Sequence, residues 1–537
     1  MDSDLPPDDP ISKDAPSNEA ASNEPAGAQG AAAERVFGEA PGAQIVAEGG
    51  APAKSGPSRS VAYAVILAVV LAAGGAVVAV RAFRGGAPNL DELVPADTAL
   101  YVKASIHPSV DQQQAIRKIA DRFPGARESF ASAESDALNK LFAKVGVSYD
   151  EVKRWIGDQI AVAVSVPSAT AEQPDVVGVL DVTDANAARA TLNKLSAQSG
   201  GTGAFVIDGG VAYLGNTTAS LAAFRDRAAR APLSGVASFG AAHTGVGGDG
   251  LLFAYVDAAK LGSFASAVPG VNAQGGGAGA YALRAESAGL VLQGRQTSAK
   301  KGPASAGRPA LVEQSPSNLL AALTVFDVGG VLARVGGAGA ALPIPYLERL
   351  GGILRSSGLS LTDLEAWTHG ETSIVVGGLT PAPNAAILIR PTDAAALART
   401  LASVRAALGP AATPKSGGFD FATPQGFTLA VRTAPGRVVI ASGDAYARQL
   451  LAAAPDKLAD DTVYKRVLGG SQDHVALQVF VRLDRVRALA EAFMRGAQAE
   501  KYQRDVKPWL SAFETLSARI TSLPGESDFR LVLSVAP

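Results

Sequence analysis

The chain has 537 residues, 47% of them hydrophobic and 18% charged, which supplies a large core and excludes a chain disordered throughout. Its formal net charge is −2 and its Lys and Arg are dispersed, so it carries no electrostatic footprint for nucleic acid. It has no cysteine, which excludes disulfides, thiolate metal sites, a cysteine nucleophile and a lipoprotein's acylated cysteine, while leaving the compartment open.

Residues 1–58 are rich in Pro, Ala, Glu, Asp, Ser, Asn and Gly, with no hydrophobic period. Such a segment buries too little apolar area to offset the entropy of ordering, and we expect a disordered, acidic Pro/Ala-rich tail. The composition then changes abruptly. Val61 to Val80 (VAYAVILAVVLAAGGAVVAV) is uncharged and lies between Arg59 and Arg81. At ~1.5 Å per residue it spans roughly 30 Å, the hydrocarbon thickness of a bilayer. A soluble helix of that length would need a polar face, so a transmembrane helix is expected over residues 61–83. A cleaved signal peptide fits less well, because a long leader precedes the run.

Lys54 and Arg59 flank one side of the run, Arg81 and Arg84 the other, so the flanking charges nearly balance. The order of one N-terminal helix and then a large domain points to a signal anchor. The tail is then cytoplasmic and the domain lies outside a bacterial inner membrane, with the bilayer as partner through residues 61–83. Ala64, Ala68, Ala72 and Ala76 form a small-residue ridge of the kind that lets two such helices approach, a weak pointer to a dimer in an Ala-rich chain.

From residue 88 onward short strand-like runs alternate with amphipathic helices. TALYVKAS (98–105) reads as a strand and 111–143 as helix, with Ile116, Ile119 and Phe123 at helical spacing. IAVAVSV and VVGVLDV read as a strand pair, followed by a helix over 184–195 capped by Thr183 or Asp184. AFVID and VAYLG flank Gly209-Gly210, a two-residue hairpin turn. LLFAYVD, YALRAES and LVLQGRQ complete a first repeat, 88–298. Residues 299–315 read as a linker.

A second repeat, 316–537, runs through the same order. Residues 146–155 (GVSYDEVKRW) align without gaps to 358–367 (GLSLTDLEAW), each with a capping-box-like helix start at Ser148 or Ser360 and a Trp, Trp155 or Trp367. Thr183-Asp184 answers Thr392-Asp393, LLFAYVD answers VALQVFV, and LVLQGRQ answers LVLSVAP. The expected fold class is α+β: two tandem pseudo-repeats with largely antiparallel sheets and packed helices.

Three segments, Leu93–Val102 (LVPADTALYV), the Trp155-Ile156-Gly157-Asp158-Gln159 turn and Leu180–Asp184 (LDVTD), resemble the bacterial membrane-anchored family catalogued as domain of unknown function 3352. The resemblance extends over residues 90–537. The second copy departs from it, with Pro316-Ser317-Asn318-Leu319 at the opening and His369-Gly370-Glu371 at the turn. The family implies a membrane-anchored exported protein of unestablished activity, and it supplies no catalytic residues.

Chemistry-bearing motifs are sparse. Gly245–Gly250 (GVGGDG) satisfies GxGxxG, but it leads into a strand rather than opening a helix, so a loop is expected and not a dinucleotide site. His107, His243, His369 and His474 lack metal-ligand spacing and read as turn or surface residues. No GxSxG elbow occurs. Asn216-Thr217-Thr218 reads as a helix cap. In the region 484–520, Val486, Leu489, Phe493, Trp509, Phe513 and Leu516 are expected to pack into the core of the second copy, with a break at Pro508. No catalytic, cofactor-binding or metal-binding residue is assigned. The expectation is a non-enzymatic binding or scaffolding module of the cell envelope. Two alternatives stay open: a carrier of lipid or another amphiphile in an inter-repeat cleft, and an exported hydrolase whose site is assembled from distant residues.

Overall fold

The computed structural model describes residues 88–123, 147–166, 174–198, 203–262, 277–297, 306–330, 360–377, 384–423, 426–470 and 472–536. All of them lie in the unit Pro57–Pro537. The tail expected at 1–58 and the transmembrane helix expected at 61–83 lie outside the described residues. Among the described residues no helix is long and apolar enough to cross a membrane.

Strands dominate. The first half supplies β1 (Thr98–Ser105), β2 (Ile156–Ser165), β3 (Asp175–Val182), β4 (Ala204–Asp208), β5 (Val211–Gly215), β6 (Leu252–Asp257), β7 (Ala278–Glu286) and β8 (Gly289–Thr297). The second supplies β9 (Leu319–Phe326), β10 (Glu371–Gly377), β11 (Asn384–Ile389), β12 (Ala412–Lys415), β13 (Gly418–Ala422), β14 (Thr428–Ala434), β15 (Arg437–Ala441), β16 (Val475–Arg482), β17 (Phe513–Leu523) and β18 (Glu526–Val535).

Every pairing between them is antiparallel, and the halves join where β8 pairs with β18. Outward from that seam the first half runs β8, β7, β6, β1, β2, β3, β5, β4. The second runs β18, β17, β16, β9, β10, β11, β15, β14, and then the added hairpin β13 and β12. Apart from that hairpin the order reads the same in both directions. The fold class is α+β with a large antiparallel sheet.

Local sequence explains the turns and caps. Ser148 and Ser360 each close a capping box at the start of a short helix, Tyr149–Val152 and Leu361–Glu365. Trp155 and Trp367 follow these helices; both are buried, and their indole N–H groups donate to Thr191 and Thr400 at 3.1 and 3.2 Å. The amides of Thr183 and Thr392 donate to the carbonyls of the same two tryptophans. Gly209 and Gly210, at φ +56° and +80°, make the turn between β4 and β5, a conformation that a Cβ would oppose. Thr217 caps the helix Thr218–Arg230.

Both faces of the sheet are covered toward its two ends. In the first half Trp155, Ile160, Leu180 and Leu192 pack on one face, while Tyr101, Val179, Phe224 and Phe253 pack on the other. The second half repeats this with Trp367, Ile389, Leu397 and Val438 on one face and Val439, Leu450, Tyr464 and Phe480 on the other. Within the stretch read as a linker, Ala310–Glu313 form a helical turn, and the amides of Leu311 and Val312 donate to the buried Glu371 carboxylate.

Two segments depart from expectation. The helix expected over 111–143 runs from Val110 to Ala120, with Phe123 beyond its end and 124–146 outside the described residues. The region 484–520 does not pack as one core helix. Helix Leu483–Phe493 ends before Gly496 at φ +62°, short helical pieces reach Leu510, and β17 begins at Phe513. Phe493 is 71% exposed and Trp509 41%. The period changes here: from Thr515 to Ile520 buried and half-buried residues alternate strictly, as in a strand.

Candidate functional site

The central sheet distributes its side chains in an unusual way. An antiparallel sheet with one solvated face normally puts apolar residues inward and polar ones outward. Here, among the apolar Phe480, Val291, Val375 and Val532, the buried face of the central strands carries Thr324, Ser373, Gln478, Ser517 and Arg519, all 5% exposed or less. These groups are largely satisfied: Thr324 bonds Ser373 at 2.9 Å, Arg519 donates to Gln478 at 3.0 Å, and Gln478 donates to Tyr464 at 2.6 Å. Arg519 also donates to the carbonyls of Leu468, the last residue of the helix Thr462–Leu468, and of Gly470 beyond it, so its charge is held by carbonyl dipoles.

The opposite face of the same strands is apolar. Cross-strand registers place Leu283, Leu292, Leu531, Ala518, Val479, Leu323 and Ile374 in one row from β7 to β10. A parallel row runs Ala285, Leu290, Leu533, Leu516, Val481, Ala321, Val376. A third includes Tyr281, Phe529, Ile520, Leu477 and Val325. Most of these side chains are half-buried, and Ile374 is 45% exposed. At ~4.8 Å per strand and about 6.6 Å between rows, the face measures roughly 29 by 13 Å. Its plan area of roughly 400 Å² falls in the range of the largest apolar patch on an ordinary monomer, which is often a functional one. The helix Val110–Ala120 borders it through Ile116 and Ile119, which pack near Leu290. Phe123 reaches across to Trp509 and Phe513 of the second half, with ring centroids at 6.0 and 5.3 Å.

A polar cluster lies on the other face of β1. Lys103 is 2% exposed, and its ammonium donates to both oxygens of Asp91 at 2.8 and 3.0 Å and to Asp249 at 2.9 Å. The Tyr101 hydroxyl also donates to Asp91, at 2.8 Å, and His243 Nε2 lies 3.0 Å from Asp249. Burial, and then the charge of Asp91, holds the Tyr101 hydroxyl well above its ordinary pKa. Burial acts to raise the Asp249 carboxyl, but the His243 hydrogen bond and the Lys103 charge outweigh it and leave it below the usual range. The GVGGDG string forms this site's loop: it ends the helix Ala237–Gly245, turns through Gly247 and Gly248 at φ +75° and +81°, and runs into β6.

Asp91, His243 and Asp249 each offer a ligand atom, all within 4.8 Å of one another. The ammonium of Lys103 already sits against both carboxylates. A metal ion would have to displace it and leave a buried ammonium without its partners, so the cluster reads as a closed ion network. Among the described residues no hydroxyl bonds His243, so the nucleophile–base pair of a hydrolase is not assembled there. The other histidines are elsewhere: His107 pairs with Asp158 at 2.7 Å, His369 with Asp327 at 2.5 Å, and His474 is exposed at φ +61°. Sequence spacing could not reveal the grouping of Asp91, Lys103, His243 and Asp249, because the sheet brings them together from four elements.

The family resemblance holds over residues 61–208, which match the model of the family described as Protein of unknown function (DUF3352). No curated protein matches the chain. A solved structure titled "Structure of crystal form III of TP0453" aligns over 43% of this chain and 81% of its own at 10% identity, with a TM-score of 0.22, a likeness too slight to carry an argument.

Proposed function

We propose that this chain is a membrane-anchored, non-enzymatic module of the bacterial envelope that holds the acyl part of a lipid or other amphiphile on its central apolar face. The observation that carries this reading is the apolar face of the central strands, with Leu292, Leu531, Val479 and Leu323 half-buried and Ile374 exposed. A face about 29 Å long accommodates an extended acyl chain, and each methylene seated on it gains a share of the about 0.8 kcal/mol that full burial contributes. A fully seated chain of ordinary length therefore gains enough to offset immobilisation.

The anchor at 61–83 would keep the domain within reach of the bilayer, with the tail cytoplasmic and the domain outside. The family match begins at Val61, with the apolar run, which supports treating the run and the domain as one unit. We also read the two halves as copies of one unit. The palindromic strand order and the paired Trp155–Thr191 and Trp367–Thr400 bonds support that reading. On it, the apolar face is a product of joining the copies, since β7 and β8 come from one and β9, β10, β16, β17 and β18 from the other.

The test is titration of the full chain, in a fluorinated detergent that does not mimic lipid, with a pyrene-labelled phospholipid. Saturable binding is expected, weakened at least tenfold by Leu531→Gln with Leu323→Gln. Signal that rises without saturating, or is equal in wild type and variant, contradicts the reading. Topology is tested separately by C-terminal alkaline phosphatase and fluorescent-protein fusions; active phosphatase is the expected result.

A further inference from the structure

Five of the nine large apolar side chains that stand exposed among the described residues fall between Val486 and Leu510: Val486, Phe493, Val506, Trp509 and Leu510. No residue of the helices Leu483–Phe493, Gly496–Lys501 or Lys507–Leu510 is buried. This segment leaves the sheet after β16, returns to it at β17, and contributes no side chain to the core.

Its charges look mixed in sequence, but they sort in space. Asp484 is engaged by Arg482, Glu491 by Lys507 and Tyr502, and Asp505 by Arg504. Arg487 and Arg495 donate only to backbone carbonyls, Arg487 to Leu510 and Phe513, and Arg495 to Ala492 and Met494. Lys501 has no carboxylate partner among the described residues. With Glu500 the one acidic side chain left over, the surface around Phe493 and Trp509 keeps a net positive charge. Exposed Phe, Trp and Leu amid excess Arg and Lys is the composition that settles into the boundary between headgroups and acyl chains.

We propose that the segment Leu483–Leu510 is a bilayer-contact surface that docks on anionic lipid headgroups and inserts Phe493, Trp509 and Leu510 at the interface. Charge complementarity decides the occupant: an uncharged apolar groove on a protein partner would leave Arg495 and Lys501 desolvated without counter-charge, whereas an anionic leaflet supplies it along the whole segment. The inference does not rest on the acyl-binding reading of the sheet. The two meet at Trp509, which touches Phe123 at one margin of the apolar face.

The chain's three tryptophans make the test specific, because Trp155 and Trp367 are 2% and 5% exposed while Trp509 is open. The full chain is reconstituted into vesicles of phosphatidylcholine with 30% (about one lipid in three) phosphatidylglycerol, with acyl chains brominated near the headgroup. The expected result is quenching of part of the tryptophan emission, absent in Trp509→Phe and reduced at least twofold by Arg495→Glu with Lys501→Glu or by phosphatidylcholine alone. Emission that brominated lipid leaves unchanged but aqueous iodide quenches overturns the proposal. So does quenching that persists undiminished in detergent with one brominated lipid bound per chain, which would assign the contact to the apolar face. Failure of pyrene-lipid binding leaves this proposal standing, and the reverse holds too.

Discussion

Val291 and Val532 face each other across the seam between the halves as cross-strand partners, each 1% exposed. They also hold the same place in the two matching strings, LVLQGRQ and LVLSVAP. On the proposed reading of the halves as copies of one unit, this seam is where the two copies would add strand to strand. Four residues along the same seam, Arg295 grips Asp528 with two hydrogen bonds, of 2.7 and 2.8 Å.

Of the two contacts the apolar one dominates. Val532→Ala is expected to lower stability by about 2 kcal/mol, the transfer and cavity terms for a buried valine. Arg295→Ala, removing a pair about one-third exposed on each side, should cost about 1 kcal/mol or less. Urea denaturation of the reconstituted or detergent-held chain measures both, and equal costs would contradict this ranking.

The paired tryptophan bonds allow a symmetric test. Thr191→Val and Thr400→Val each leave a buried indole N–H without its acceptor, at about 1–3 kcal/mol apiece. Comparable losses in the two halves are expected from urea midpoints. A loss in one half and none in the other would count against equivalent roles.

Lys103 holds two carboxylates, one of them buried. Lys103→Met leaves Asp91 charged at 6% exposure and should cost about 3–5 kcal/mol, whereas Lys103→Met with Asp91→Asn should recover much of that. A single variant as stable as wild type would mean that the cluster exchanges with solvent and that the closed network is wrong.

Much of this architecture was legible in the residues. The capping boxes at Ser148 and Ser360, the Gly209-Gly210 turn and the strand character of LLFAYVD follow from local chemistry, and the structure places each where its sequence asks. The apolar face was not legible, because its rows are built from residues whose neighbours lie in other strands. Leu531 gains meaning only once β18 is known to lie between β8 and β17. The segment 484–510 misled for a different reason: helical spacing of apolar residues signals an amphipathic face without saying what that face meets.

Glu371 gives a pH signature. Burial raises its carboxyl above the usual range, against the lowering effect of the amides of Leu311 and Val312. Because the folded value exceeds the unfolded one, the folded state holds the proton more tightly. Its stabilisation is complete below the unfolded pKa and is lost as pH rises through the window up to the folded value. Wild type minus Glu371→Gln, in urea midpoints taken from pH 4 to 8 (about the range that brackets an ordinary and a raised carboxyl), should decline across that window and then flatten. A difference that rises with pH would reverse the sign of the assignment.

On the proposed function an acyl chain occupies the row from Leu283 to Ile374. Native mass spectrometry of the full chain, extracted from its producing cells with detergent and stripped of the micelle in the gas phase, reads this without a label. A mass increment of one lipid per chain is expected, released as an acyl-bearing species and absent when Ala518→Trp fills the centre of the row. A chain that flies at its bare mass under conditions that retain lipid on a lipid-binding control protein, or an increment that Ala518→Trp leaves intact, would contradict it.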